Sequence, residues 1–241
     1  MQLIISGATG QVGSGLLCAC LTSPRITKLS ILSRRAFELP TGPGLDVSKA
    51  TIIVHKDFLN YPSEVLEQLK GATGAVWALG ISQTKVSRED YIVITHDYAM
   101  AAAKAFATLC EKPFKFIYVS GEGADQNGQG YTFFSNIKGR TDVELLSLTQ
   151  SSNRFSGLRI YISTGRVSRS IQKILYTPLI PLVLLPMRLL MPRRFISKDQ
   201  LASAMLDLAL RAGEPLPGGP GIENDGRLVR NSAMREWELN Q

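Results

Sequence analysis

A glycine-rich turn near the start of the chain constrains its fold more than any other feature. The turn spans residues 7–13, with the sequence GATGQVG, and it follows a short apolar run at residues 2–6 that has the length of a buried strand. Residues 11–21 then show a helical pattern. Glycines at positions 7, 10 and 13 permit a tight turn, a close approach of backbone amides to a diphosphate, and close packing of helix on strand.

The turn also predicts a ligand, because the N-terminus of the following helix favours an anion. A strand, three spaced glycines and a helix together are typical of a dinucleotide site. The predicted contacts in this turn are Gly7, Thr9, Gly10, Gln11, Val12 and Gly13. A purely structural turn is the alternative.

Strand and helix patterns alternate along the first two thirds of the chain. Further strands are predicted at 28–32, 51–54, 74–79, 114–119 and 156–160, and long helices at 88–110 and 133–148. Right-handed crossovers then give parallel strands with helices on both faces. The sequence therefore predicts the α/β class, as a Rossmann-like doubly wound parallel sheet.

The chain is predicted to form one domain over residues 1–241, with a core at about 1–165 and a substrate-side extension at about 166–241. Its content of 44% hydrophobic and 20% charged residues is that of a globular protein. Ser197 is predicted to cap a helix that runs to about Leu210. We expect the last twenty residues to form a return loop or an appended strand.

The net charge of +7 does not by itself identify a partner. Lys and Arg are scattered, so we expect no nucleic-acid binding, whereas an anionic cofactor or an acidic membrane surface would both suit the charge. The three cysteines match no metal-binding pattern, and we predict no metal site. Gly7 and Gly10 interrupt the first apolar run before it reaches signal-peptide length, which favours a cytoplasmic protein with membrane association left open.

The end of the second predicted strand bears on cofactor choice. Arg34 and Arg35 stand where an NAD-selective site usually has an acidic residue for the ribose hydroxyls. An arginine there can pair with a 2′-phosphate instead. We therefore predict NADP(H) in preference to NAD(H), with a pair of solvated surface charges as the alternative reading.

Four stretches together resemble one family: the glycine-rich turn, the strand end with Arg34 and Arg35, Leu79-Gly80 after the fourth strand, and residues 123–125 after the fifth. The family is the atypical short-chain dehydrogenase/reductases, and within it the branch of Tat-interactive-protein-like oxidoreductases. The resemblance covers roughly the first 165 residues. It implies that Asp57 and the backbone at Leu79 and Gly80 hold the adenine and its ribose.

The resemblance also implies catalytic positions. Redox members carry a Tyr-x-x-x-Lys motif on a helix, and Lys138 matches its lysine, while Phe134 stands in place of the tyrosine. Members usually have a serine pair after the fifth strand, which here reads Ser120-Gly121. The candidates are therefore Lys138, Ser120 and Tyr131, with a partly buried aromatic at a helix start as the alternative interpretation of Tyr131.

The apolar segment at 171–191 contains three prolines, which argues against a straight transmembrane helix. It falls where family members build the substrate side of the cleft, so we expect an apolar small-molecule substrate. Three arginines flank or interrupt it, so a peripheral membrane contact or a homodimer contact stays open.

Three functions are consistent with these features. The first is an NADPH-dependent oxidoreductase that acts on a lipophilic small molecule. The second is a non-redox isomerase, dehydratase or cyclase on the same scaffold, which Phe134 and Gly121 favour. The third is an NADPH-binding interaction protein without catalytic activity.

Overall fold

The computed structural model describes residues 1–110, 113–151, 155, 157–164 and 196–237. Its strands are β1 (Gln2–Ser6), β2 (Lys28–Ser33), β3 (Ala50–Val54), β4 (Gly74–Trp77), β5 (Phe114–Ser120), β6 (Leu158–Thr164), β7 (Ile222–Glu223) and β8 (Leu228–Val229). They form one sheet in the order β3-β2-β1-β4-β5-β6-β8-β7. Neighbouring strands are parallel except for β7 with β8.

This topology confirms the predicted α/β Rossmann-like fold. From β1 the next strands in sequence, β2 and β3, are added on one side, whereas β4, β5 and β6 are added on the other side. The strand order therefore reverses between the neighbouring strands β1 and β4. In open α/β sheets a ligand binds in the crevice at the carboxyl ends of the strands beside such a reversal. The glycine-rich turn after β1 lies at that point.

The helices are α1 (Gln11–Thr22), α2 (Ser63–Leu69), α3 (Arg88–Ile92), α4 (Tyr98–Phe106), α5 (Phe133–Ser151), α6 (Lys198–Leu210) and α7 (Asn231–Glu236). A π-helical turn at Val93–Asp97 joins α3 to α4. Helices α3 and α4 and this turn account for most of the helix predicted at 88–110. The helix ends earlier than predicted because the N–H groups of Thr108 and Leu109 donate to the carbonyl oxygens three residues before them, which form turns.

The core consists of two apolar clusters on opposite faces of the sheet. Leu3 and Ile5 of β1 belong to one cluster, which packs against α1, α6 and α7, while Ile4 belongs to the other, which packs against α2, α4 and α5. Successive side chains of a strand point to opposite faces, so a strand covered on both sides has to be apolar throughout. The uninterrupted apolar run of β1 follows from this position.

The C-terminal part combines predicted and unpredicted features. Ser197 caps α6, and Gln200 completes a reciprocal capping box. The short β7–β8 hairpin turns through left-handed residues at Asn224, Asp225 and Gly226, and β8 then adds to β6 in parallel. The sequence predicted a return loop or a strand here, but not α7.

The apolar segment at 171–191 and its flanking arginines lie outside the described residues. In the part of the chain that the structure describes, every helix is too short or too polar to cross a bilayer. The expected roles of that segment in substrate, membrane or subunit contact therefore stay predictions.

Candidate functional site

The turn between β1 and α1 is built so tightly that two of its glycines are sterically required. Gly7 has a φ of +70°, and a Cβ on it would lie 2.4 Å from the carbonyl oxygen of Ala78. A Cβ on Gly13 would lie 2.1 Å from the carbonyl oxygen of Gly7. The turn therefore lies directly against the chain that leaves β4, and helix α1 packs onto the turn itself.

The N-terminus of α1 offers hydrogen-bond donors to a ligand. The N–H of Gly10 donates to the carbonyl oxygen of Gly7 at 2.8 Å. The first hydrogen bond of the helix runs from the N–H of Ser14 to the carbonyl oxygen of Gly10. The N–H groups of Gln11, Val12 and Gly13 therefore belong to the first turn, whose amides have no acceptor within the helix, and Gly10 supplies no side-chain cap. Thr9 and Gln11 are exposed beside them. Clustered amides at a helix N-terminus fit a diphosphate.

Arg34 and Arg35 follow β2 directly, and both side chains are exposed. Leu32 pairs with Ser6 at the end of β1, so the two arginines leave the sheet next to the glycine-rich turn. Neither of them forms an ion pair with another described residue. Their guanidinium groups are available for a phosphate bound at this edge.

The other predicted adenine-side positions lie at the same edge of the sheet. Asp57 is exposed after β3 and accepts hydrogen bonds from the Asn60 amide at 2.8 Å and the Leu59 N–H at 3.0 Å. The bond from Asn60, followed by that from Leu59, lowers the pKa of Asp57. Leu79 and Gly80 follow β4, and Gly80 has open space where a side chain would stand.

Lys138 lies on α5 and is 8% exposed. Its Nζ donates to the Tyr118 hydroxyl at 2.9 Å and to the Val119 carbonyl oxygen at 3.1 Å, and it lies 4.6 Å from the centre of the Tyr118 ring. Burial lowers the pKa of Lys138, and the charge of Asp142 opposes this shift. These contacts hold the lysine against the last residues of β5.

Ser120, the last residue of β5, donates its hydroxyl proton to the Asp142 carboxylate at 2.9 Å. Asp142 lies on α5 one turn after Lys138 and is fully buried. Burial raises the pKa of Asp142, and the Ser120 hydrogen bond and the Lys138 charge only partly oppose it. Asp142 was not among the residues predicted from the sequence, although its spacing of four from Lys138 on a predicted helix places both on one face.

The structure separates Tyr131 from the other two candidate catalytic residues. Helix α5 begins at Phe133, and Tyr131 precedes it with a fully exposed side chain. The tyrosine that contacts Lys138 is Tyr118, which is buried and donates its hydroxyl to the carbonyl oxygen of Thr95 at 3.2 Å. Lys138 and Ser120 are thus neighbours through β5 and Asp142, with Tyr131 on the surface.

Two departures from the family pattern are sterically linked. A Cβ on Gly121 would lie 2.5 Å from Cζ of Phe134, so the phenylalanine ring occupies the space of a side chain at position 121. Tyr91 is buried next to Phe134, with 6.4 Å between the ring centres. In the family that the sequence resembles, a serine and a tyrosine stand at these two positions, and here one packed pair occupies them.

This packing predicts a strong coupling between positions 121 and 134. Gly121→Ala should lower the free energy of unfolding by about 2 kcal/mol because it overfills the site, and by much less in a Phe134→Ala background. Urea unfolding of the wild type, both single variants and the double variant measures this difference. Equal costs of Gly121→Ala in the two backgrounds would contradict the packing.

Comparisons with known proteins bear on the family and the fold of this chain. Leucinostatins biosynthesis cluster protein T of Purpureocillium lilacinum is 30% identical over 98% of this chain and 95% of its own length. The MalC reductase/Diels-Alderase from Malbranchea aurantiaca has a similar structure, with a TM-score of 0.64 and 15% identity over 96% of this chain and 94% of that one.

The Bordetella bronchiseptica enzyme WbmF, solved in complex with NAD+, matches with a TM-score of 0.63 and 10% identity over 95% of this chain and 72% of that one. No family model matches the sequence. The solved structures confirm the α/β Rossmann-like fold. The Tat-interactive-protein-like branch stays a prediction.

Proposed function

Because this chain belongs to the family of leucinostatins biosynthesis cluster protein T, we propose that it is an NADPH-dependent oxidoreductase that acts on a lipophilic small molecule. The name of that relative assigns it to a biosynthetic cluster, and the name of MalC includes a reductase activity. The observation that carries the proposal is the glycine-rich turn, which lies against the end of β4 and leads into a helix whose N-terminus has no side-chain cap.

The described residues fit the cofactor at its diphosphate end. The amides of Gln11, Val12 and Gly13 would hold the diphosphate, and Arg34 and Arg35 would hold the 2′-phosphate of the adenine ribose. When bound, the nicotinamide would supply a hydride. Ser120 lies at the carboxyl end of β5, and Lys138 lies on the neighbouring helix α5. Both would lie on the nicotinamide side of the bound cofactor.

Calorimetric titration with NADPH and NADH, followed by NADPH oxidation in the presence of lipophilic aldehydes and ketones, tests the proposal. We expect NADPH to bind more tightly than NADH, and its oxidation to depend on the added carbonyl compound. Absence of binding for both nucleotides would overturn the proposal. Binding without oxidation of NADPH by any of these compounds would favour a non-catalytic role.

The cofactor preference is predicted to depend on Arg34. Arg34→Ala should weaken NADPH binding about tenfold, the loss of one charge-assisted contact, and leave NADH binding unchanged. Arg25→Ala is the matched control, since Arg25 is also exposed but precedes β2 at its opposite end. An equal loss for NADPH and NADH in the Arg34 variant would contradict the assignment of this side chain to the 2′-phosphate.

A second candidate function is a non-redox isomerisation, dehydration or cyclisation on the same scaffold. The packed Phe134–Gly121 pair favours it, because phenylalanine has no ionisable proton to donate. The name of MalC, a protein of similar structure, combines a reductase with a Diels-Alderase. Turnover that continues without reduced nicotinamide, and yields a product of the same redox state as the substrate, would support this candidate over the first.

A further inference from the structure

A buried carboxyl group beside the candidate site has no role in the family pattern. Asp142 is fully buried, and its Oδ2 accepts the hydrogen bond from Ser120. Its other oxygen, Oδ1, has no hydrogen-bond partner among the described residues. A buried carboxylate with an unpaired oxygen is costly, and protonation of the carboxyl group would remove the charge.

We propose that Asp142 is a positioning residue that supplies a proton to the substrate through the hydroxyl of Ser120. The proposal rests on the proposed function, since it requires a substrate oxygen that becomes protonated at the carboxyl end of β5. Asp142 cannot contact a substrate itself because it is fully buried. Ser120 is the residue that connects it to the edge of the sheet where ligands bind.

The other candidate donors are placed less well for this task. Phe134 occupies the position of the family tyrosine and carries no ionisable proton. Tyr131 is fully exposed outside α5. Tyr118 is fully buried and already donates to Thr95. The Ser120–Asp142 pair therefore provides the hydroxyl and the acid that the altered motif lacks.

Charged groups on each neighbouring element act on Asp142. Lys138 on the same helix and Arg230, which precedes α7, favour its ionised form. Burial raises the pKa of Tyr118 on β5, and the charge of Asp142 adds to this shift. Glu122, in the loop after β5, accepts a hydrogen bond from Thr164 and lies near Arg230. Burial outweighs the two cations, so the pKa of Asp142 remains raised.

In the direction of reduction, bound reduced nicotinamide would supply a hydride with its two electrons to the carbonyl carbon of the substrate. The hydroxyl proton of Ser120 moves to the carbonyl oxygen of the substrate. A proton on Oδ2 of Asp142 moves to Oγ of Ser120 across their 2.9 Å contact, whose hydrogen bond then runs from Asp142 to Ser120, and this leaves Asp142 as a carboxylate. Water then returns a proton to Asp142, and the net result is an alcohol and oxidised nicotinamide.

Infrared titration of the protein without cofactor tests the protonation state directly. We expect a band from a protonated carboxyl group to persist near neutral pH in the wild type, and to be absent from Asp142→Asn. Asp90→Asn, which alters an exposed carboxylate on α3, should retain the band. A wild type without this band above about pH 5, where ordinary aspartates are ionised, would overturn the proposal.

Kinetics with NADPH and decanal, a long-chain aldehyde, test the relay. Asp142→Asn should lower kcat about a hundredfold, flatten its pH profile, and leave KM and the Kd for NADPH unchanged. Ser120→Ala should lower kcat by a similar factor, and the double variant no further, because the two groups act as a unit. A correctly folded Asp142→Asn with wild-type kcat and pH profile, or multiplicative losses in the double variant, would overturn the relay.

Failure of the proposed function can be distinguished from failure of the role proposed for Asp142. A wild-type protein that binds neither nicotinamide nucleotide would count against the proposed function. The infrared titration needs no cofactor, so it decides the state of Asp142 in either case.

Discussion

Gly13→Ala is expected to lower the free energy of unfolding by about 3 kcal/mol and to abolish binding of the dinucleotide. The added Cβ would lie 2.1 Å from the carbonyl oxygen of Gly7 and 3.0 Å from Cα of Ala8. Both contacts are with backbone atoms, so no side-chain rotation can relieve them. Either the helix moves away from the turn, or the turn that presents the amides is distorted.

Urea unfolding and calorimetric titration with NADPH measure the two effects of this substitution. Gly80→Ala is the matched control for the unfolding measurement, because it adds the same methyl group at the same edge of the sheet, where nothing lies within 4 Å. The control should change the free energy of unfolding by less than about 0.5 kcal/mol. A Gly13→Ala protein as stable as the control would show that α1 does not pack on the turn in this way.

The second large effect is a pH-dependent difference in stability between the wild type and Asp142→Asn. Burial raises the pKa of Asp142 from 3.8 to about 7 in the folded protein. Between these values the folded protein keeps a proton that the unfolded chain has lost, so this contribution to wild-type stability is lost as the pH rises. Asparagine does not titrate, and its contribution stays constant.

We therefore expect the stability of Asp142→Asn relative to the wild type to increase by about 3 kcal/mol from pH 5 to pH 8. Denaturant unfolding of both proteins at several pH values measures the difference, and most other titrating groups cancel in it. Lys138 acts mainly above this window, since its pKa is lowered to about 8. The Asp90→Asn control should show no such trend, and a flat difference for Asp142→Asn would refute the raised pKa.

The tyrosine beside Lys138 is not the one that the sequence suggested. Tyr131, seven residues before Lys138, would lie on the same helix only if that helix began before position 131. The helix begins at Phe133, as the sequence predicted, so Tyr131 precedes it. Tyr118 lies in a predicted strand, 20 residues from Lys138, and its hydroxyl accepts the hydrogen bond from Lys138.

The sequence by itself determined the features that depend on neighbours along the chain. These are the β1–turn–α1 unit, the alternation of strands and helices, the Ser197 cap, and the arginines directly after β2. Apolar periodicity, glycine spacing and capping residues are local signals, and they specify local structure. From them the fold class follows with little ambiguity, since parallel strands with crossover helices allow few arrangements.

Only the tertiary structure decided which side chains meet at the carboxyl end of β5. Ser120 and Asp142 are 22 residues apart, and Phe134 reaches Gly121 across the loop between β5 and α5. The rotation of α5 about its own axis fixes both contacts, and this rotation is set by the packing of Leu145 and Leu148 on the sheet. No local sequence pattern specifies this rotation of α5. For that reason the contact of Asp142 with Ser120 could be identified only in the folded protein.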